Sequence, residues 1–298
     1  MKAFSVLSAL LLVFGLTSCV KQSDDITITS DPKLIVECYL NPTDTEITAI
    51  VNENRPITGE GSGSRSISNP VLDATVLLSD GNREVKLTNN KNSTYKIQAK
   101  DFMLVAGRTY TLKVTAPGLP ATEATCTIPK MIRTLDATDS DLSYELADAS
   151  TYNVYRKRSL SWTNTEANKT NYYMVGSGEG TNVKIKTLAG DSTCVRLKNA
   201  AVIAFLDDSK TTDQHFTTGT MRFLLGKSTS KTDPKITSSA PMYSFVYHVD
   251  RNYYEFFRTV KLQREVGDNP FAEAVPVYSN IKNGLGVFGA YVVQVKNL

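Results

Sequence analysis

Between Lys33 and Ile128 apolar and polar residues alternate in short runs broken by turn residues, the period-two signature of half-buried strands. Leu34, Val36, Cys38 and Leu40 share one face of the first run, and Glu46 to Val51 forms a second. Val71 to Leu78 and Glu84 to Leu87 flank Ser79-Asp80-Gly81-Asn82, where the glycine admits the positive φ of a tight hairpin turn. After a short run from Tyr95 to Gln98, Gly107-Arg108 opens a clear strand. Tyr110, Leu112 and Val114 point inward there, while Thr109, Thr111, Lys113 and Thr115 face water. Pro117-Gly118 turns the chain into Thr122 to Ile128, and Pro129 ends the series. Seven strands in about a hundred residues predict an immunoglobulin-like β-sandwich over residues 33–130, with Gly59 to Asn69 as a polar loop.

Residues 130–150 are acidic and weakly patterned and read as a linker. The remainder predicts a second β-rich domain, so that residues 131–298 form one unit after the sandwich. Its strands fall at Val154 to Trp162, Asn171 to Val175, Val183 to Thr187, Cys194 to Leu197, Val202 to Leu206, Arg222 to Leu225 and Tyr243 to Val249. Asp250 to Val266 departs from this pattern. Tyr253, Phe256, Phe257 and Val260 recur at three- and four-residue spacing, which predicts an amphipathic helix with Asp250 as its N-cap and an aromatic core-facing stripe. The sole tryptophan, Trp162, is expected in the core.

The start of the chain has a different character. Lys2 followed by an apolar stretch from Ala3 to Leu16 reads as a secretory signal, residues 1–18, too short to span a bilayer as a helix. Leu16-Thr17-Ser18-Cys19 resembles a bacterial lipobox, in which the cysteine thiol is alkylated by diacylglycerol and the chain is cut before it. Several acyl chains, at about 0.8 kcal/mol per buried CH₂, would hold the protein on a membrane through Cys19. Residues 19–32 then form a flexible tether, of which 20–32 reach roughly 45 Å if extended. Within it Ser23-Asp24-Asp25 is similar to the acidic signal that sends Bacteroidota lipoproteins to the outer face of the outer membrane.

With Cys19 acylated, Cys38, Cys126 and Cys194 remain. Cys38 and Cys126 face inward on the first and last strands of the sandwich. They pair as a disulfide if those strands are neighbours, and otherwise stand as buried thiols. Lysine plus arginine number 33 against 30 acids, a net +3, so charge gives no warrant for a nucleic-acid partner. Two histidines, His215 and His248, and few cysteines give no metal set, and no cofactor is expected.

Gly284-Leu285-Gly286-Val287-Phe288-Gly289 matches the spelling of a dinucleotide-binding loop, but only nine residues follow and they read as a strand. Such a loop needs a following helix to receive pyrophosphate. The glycines are therefore expected to permit a bulge or close crossing. Asp136, Asp139, Asp141 and Glu145, and likewise Asp207, Asp208 and Asp213, read as solvated acids rather than Ca²⁺ ligands. No serine sits in a G-x-S-x-G elbow, and nothing selects a catalytic residue.

Several segments together resemble one family. They are Lys33 to Leu40, Arg55-Pro56, Asp73 to Val76, Tyr110 to Pro129, Asn171-Tyr172-Tyr173, Asn269-Pro270-Phe271 and Ser279 to Gly289. The set is similar to the Bacteroidota lipoproteins called domain of unknown function 4249. That resemblance implies genes beside SusC-like, TonB-dependent transporters, and hence an accessory role in nutrient uptake with such a transporter as partner. It carries over no catalytic residue and names no ligand. The expected function is a non-enzymatic binding or accessory module on the outer membrane. An adhesin or surface-fibre component, and a secreted hydrolase with converging carboxylates or a His248-centred pair, stand as alternatives.

Overall fold

The computed structural model describes residues 31–54, 68–89, 92–164, 166, 169–187, 190–210, 214–238, 240–267, 273 and 275–298. The signal, Cys19, Ser23-Asp24-Asp25, Arg55-Pro56, most of the glycine-rich loop, Asp213 and Asn269-Pro270-Phe271 lie outside them. The protein is mainly β with one helix among the described residues. The first strands are β1 (Leu34–Leu40), β2 (Glu46–Asn54), β3 (Ser68–Pro70), β4 (Thr75–Ser79), β5 (Glu84–Asn89), β6 (Thr94–Gln98), β7 (Thr109–Thr115) and β8 (Thr122–Thr127). There follow β9 (Leu135–Leu146), β10 (Tyr152–Thr163), β11 (Tyr172–Thr187), β12 (Gly190–Asp207), β13 (His215–Thr217), β14 (Met221–Ser228) and β15 (Met242–Val249). Helix α1 (Arg251–Gly267) and β16 (Leu285–Asn297) complete the order.

Period-two alternation in the first strands becomes burial on one side. Leu34, Val36, Cys38 and Leu40 are fully buried in a core shared with Val76, Leu78, Tyr110, Leu112, Val114, Cys126 and Ile128. Each large buried side chain there contributes about 2 kcal/mol of apolar transfer. Two tyrosines place hydroxyls where loop backbone needs them. Tyr95 donates to Val71 O and accepts from Ala74 N, both at 2.9 Å, and Tyr110 accepts from Val105 N at 2.7 Å.

A ninth strand, unexpected in this region, comes from the far end of the chain. The first half of β16 pairs parallel with β1 and its second half antiparallel with β15. One long sheet results, in the order β12-β11-β15-β16-β1-β2-β6-β5-β4-β7-β8, with β3 on β2. Phe288, Ala290 and Val292 fill the N-terminal core, and Tyr291 packs under the helix. The expected boundary at residue 130 thus falls between two cores that share a strand, and residues 32–54 and 68–298 form one compact unit.

The glycine motif lies at this crossing, as close approach requires. Gly286 has φ 103°, and a Cβ there would overlap Val36 O. A Cβ on Gly289 would press Tyr253 Cβ at 3.0 Å and the Tyr253 backbone at 3.1 Å, so the first turn of α1 sits directly on β16.

In the second half, the sheet formed by β12, β11, β15 and β16 has two covered faces. One faces β13-β10-β14, with β9 outside β10, around Trp162, Tyr173, Val175, Phe223 and Val246. Trp162 is fully buried and stacks on Phe216 at 4.8 Å. The other face lies under α1, where Tyr39, Tyr247, Tyr253, Phe257 and Tyr291 pack ring against ring. Asp250 caps the helix by accepting from Tyr253 N at 2.9 Å.

Two expectations are corrected. Residues 130–150 are not a linker, because Leu135–Leu146 forms β9, paired along nearly its whole length with β10. The joining turn is set by Asp148, which accepts from Ser150 N and Thr151 N, each at 3.0 Å. The separate runs at 171–175 and 183–187 are one strand, as are those at 194–197 and 202–206. Gly176, Gly178 and Gly180 bridge the first gap. A Cβ on Gly176 would collide with the Phe245 ring, and one on Gly180 with the Tyr243 ring. Strand glycines that interrupt the hydrophobic pattern thus make room for cross-strand aromatics.

Candidate functional site

A cleft of about 280 Å³ opens where the end of β8, the start of β11 and the β15–α1 junction meet. Its wall includes Thr125, Cys126, Thr127, Lys169, Thr170, Asn171, Tyr172, His248, Asp250 and Arg251. Behind that wall stands a polar hub. Asn171, 1% exposed, donates its amide to Glu166 O, Lys169 O and Asp208 Oδ2 at 2.8–3.0 Å. Asp208 Oδ1 accepts from Asn171 N at 2.7 Å, and its Oδ2 accepts from Asn164 at 2.7 Å. Asp208 is therefore a structural anchor rather than a solvated acid.

His248 completes the hub. Its Nδ1 meets Lys130 O at 2.8 Å and its Nε2 meets Asn171 Oδ1 at 3.2 Å. All three amide contacts of Asn171 go to acceptors, so Oδ1 must face the ring. Burial holds the imidazole pKa below its usual value, although the Lys130 carbonyl and the nearby Glu166 and Asp208 pull the other way. In the neutral ring the shorter contact takes the proton, Nδ1–H donating to Lys130 O. Nδ1 is thus committed to a backbone carbonyl, while Nε2, without a proton in this tautomer, only abuts Asn171 Oδ1 inside the hub.

Asp250 lies at the same junction. Its Oδ1 accepts from Tyr253 N and also from Ala290 N at 3.1 Å, tying α1 to β16. Burial lifts its carboxyl to about 7 despite those donors. The pair Cys38 and Cys126 are free, buried thiols, so the disulfide that strand parity allowed is not formed. Burial pushes Cys38 up to about 12 and Cys126 well above the ordinary thiol value, which leaves neither a thiolate nucleophile.

The other acids do not gather. On β9, Asp139 is held by Arg156 at 2.9 Å and by Arg158, and Glu145 meets Arg222 at 3.3 Å. The Arg158 guanidinium, with Arg156 beside it, keeps the Asp139 carboxyl below the usual range. Asp207 instead closes its own turn through Ser209. Among the described residues no three His, Cys, Asp or Glu side chains form a metal-binding group, and no helix is long and apolar enough to cross a membrane. His215 lies on β13 opposite Thr163, away from the cleft.

Two important side chains carried no signal in the sequence pattern. Arg158 occupies an inward position of β10 and is 4% exposed. Besides Asp139, it donates to Ser244 Oγ at 3.0 Å and Asn297 O at 2.7 Å, clamping the last strand. Asn280 donates to Phe288 O at 2.8 Å and accepts from Phe288 N at 2.9 Å, closing the turn before β16. These residues, like the glycines and Asn171, hold the fold together at its crossing points. A family model described as a domain of unknown function, DUF4249, matches residues 22–297. A search of curated proteins finds no match.

Proposed function

The chain belongs to the DUF4249 family, and from that premise we propose that it is a lipid-anchored outer-membrane protein. In this reading it is a non-enzymatic binding or accessory module of a TonB-dependent uptake system, facing the cell exterior, with an immunoglobulin-like N-terminal sandwich. The observation that carries it is the lipobox Leu16-Thr17-Ser18-Cys19, closing an apolar stretch and followed by the acidic Ser23-Asp24-Asp25. The fold supports such an anchor mechanically. β1, which follows the tether, lies between β2 and β16 rather than at a sheet edge. Pull from the membrane therefore loads a strand bonded on both sides, and would be shared by the whole N-terminal core.

The polar hub and the buried, protonation-shifted groups around the cleft serve packing, which suits a binding module better than a hydrolase. The test is recovery from detergent-solubilised outer membranes through an affinity tag on the full chain. A TonB-dependent barrel should co-purify, and protease added to intact cells should digest the protein. Recovery without any barrel, together with full protection in intact cells, would contradict the proposal.

A further inference from the structure

The two ends of the N-terminal core differ in chemistry. At the end where β8 finishes, residues 41–45 and 79–83 form polar turns, and Asp80 is bound to Arg108 at 2.6 Å. The opposite end is where the N-terminal tether joins. Lys33, just before β1, donates its backbone N–H to Asn54 Oδ1 at 2.6 Å, at the last residue of β2. Asn54 lies opposite Ser68 on β3, and Val71 N bonds Val51 O at 3.1 Å. Pairing of Thr75 with Thr115 then brings residues 71–74 beside the β7–β8 loop. Asn283 donates to Ala121 O of that loop at 3.4 Å, and Leu285 returns to β1 opposite Ile35. These segments form a ring around the point where the tether enters.

The ring is apolar. Leu72 is 54% and Leu285 41% exposed, and Pro70, Pro117 and Pro120 are exposed with them. Residues 116–121, Ala-Pro-Gly-Leu-Pro-Ala, contain no charged or hydrogen-bonding side chain. The charges nearby carry both signs, Lys33 and Lys282 beside Asp31, Glu53 and Asp73, so none of them selects a charged partner.

The tether identifies what meets this end. On the lipid-anchored reading, on which this inference rests, residues 20–32 join the acylated Cys19 to Lys33. A flexible chain of that length spans about 20 Å on average. The apolar ring is thus held beside the same bilayer that takes the acyl chains. We propose that this end of the N-terminal core docks on that bilayer, with Leu72, residues 116–121 and Leu285 entering the headgroup layer. The contact is apolar and needs no anionic lipid. Thr122 lies at the docked end of β8, whereas Thr127, about 17 Å along the strand, lines the cleft. Docking therefore keeps the cleft clear of lipid.

Tryptophan fluorescence of the full lipidated chain in phosphatidylcholine vesicles with brominated acyl chains tests this. Trp162, the sole tryptophan, is fully buried in the other core and supplies an unquenched background. Leu72→Trp and Leu285→Trp should each shift to the blue and lose about half of their added emission to bromine, as side chains at the headgroup–acyl boundary do. Asn82→Trp, in the turn at the far end, should keep its emission, and salt should change none of these results. Added emission unquenched at both leucine positions, in protein that floats with the vesicles, would overturn docking and leave the anchor standing. Protein that does not float would remove the anchor and docking with it. Equal quenching at Asn82→Trp, quenching abolished by salt, or a blue shift without quenching would also overturn the proposal, the last because protein rather than lipid would then cover the ring.

Discussion

At one end of the long sheet, β8 has its outer carbonyls met by Asn252, Asn280 and the backbone of Lys282, so the N-terminal core is closed against further strands. At the other end, no described strand pairs with the outer side of β12, whose residues 200–206 carry no charge. Both ends belong to one hydrogen-bonded sheet, joined through β16. The difference teaches that the conspicuous C-terminal motif serves closure. Its asparagines and glycines seat β16 and seal β8, whereas the open edge has no motif at all.

The comparison breaks most completely if β16 cannot be seated. Gly286→Val adds a side chain at φ 103° against Val36 O. It should cost at least about 4 kcal/mol, or prevent folding. Denaturant titration reads this, and a loss under about 1 kcal/mol would show that the parallel β1–β16 pairing tolerates the clash. Next in size is Asn171→Ala, which strips a side-chain donor from Asp208, Glu166 O and Lys169 O together. Leaving buried polar groups unpaired should cost about 3 kcal/mol in the same titration.

Acidity separates two groups that line the same cleft. The His248 pKa lies below its ordinary value in the folded chain. The unfolded chain therefore takes up this proton first, and the histidine's contribution is lost as pH falls below about 6.5. Asp250 acts in the opposite sense. Its folded value of about 7 exceeds the unfolded one, so its contribution is full below about pH 4 and is lost as pH rises through about 7. Between those limits the two oppose each other. In Asp250→Asn the fall in stability on raising pH from about 5 to about 8 should be smaller than in the wild type, whatever the absolute stability of the variant. An unchanged slope in thermal melts across that range would remove Asp250 from the account.

The smallest expected effect sharpens the contrast between the edges. Ile203→Lys, on an exposed position of β12, should change the stability of the monomer by less than about 0.5 kcal/mol. A loss of several kcal/mol would mean that the run is covered within a single copy.

Strands that bury one face were legible because alternation maps directly onto burial, as in Leu34–Leu40 and Thr109–Thr115. The helix over Arg251–Gly267 was legible for the same reason at its own period, with Asp250 capping it as expected. β9 was not, because an edge strand rich in acids has little apolar alternation. Nor was the continuity of β11, since glycines under Phe245 and Tyr243 have no side chain with which to signal a strand. The hub escaped because it joins residues far apart in the chain. Lys130, Asn171 and His248 each look ordinary until β11 and β15 place them side by side. The glycine motif shows the reverse case, a spelling known from loops that precede a helix, here carried by the strand Leu285–Asn297.

The central claim is that this fold hangs from a lipid on one sulfur. Labelled palmitate fed to cells producing the full chain should appear on the protein, and Cys19→Ala should abolish the label and leave the signal uncleaved. A wild-type protein that carries no label, or a Cys19→Ala protein that carries it undiminished, would contradict the account.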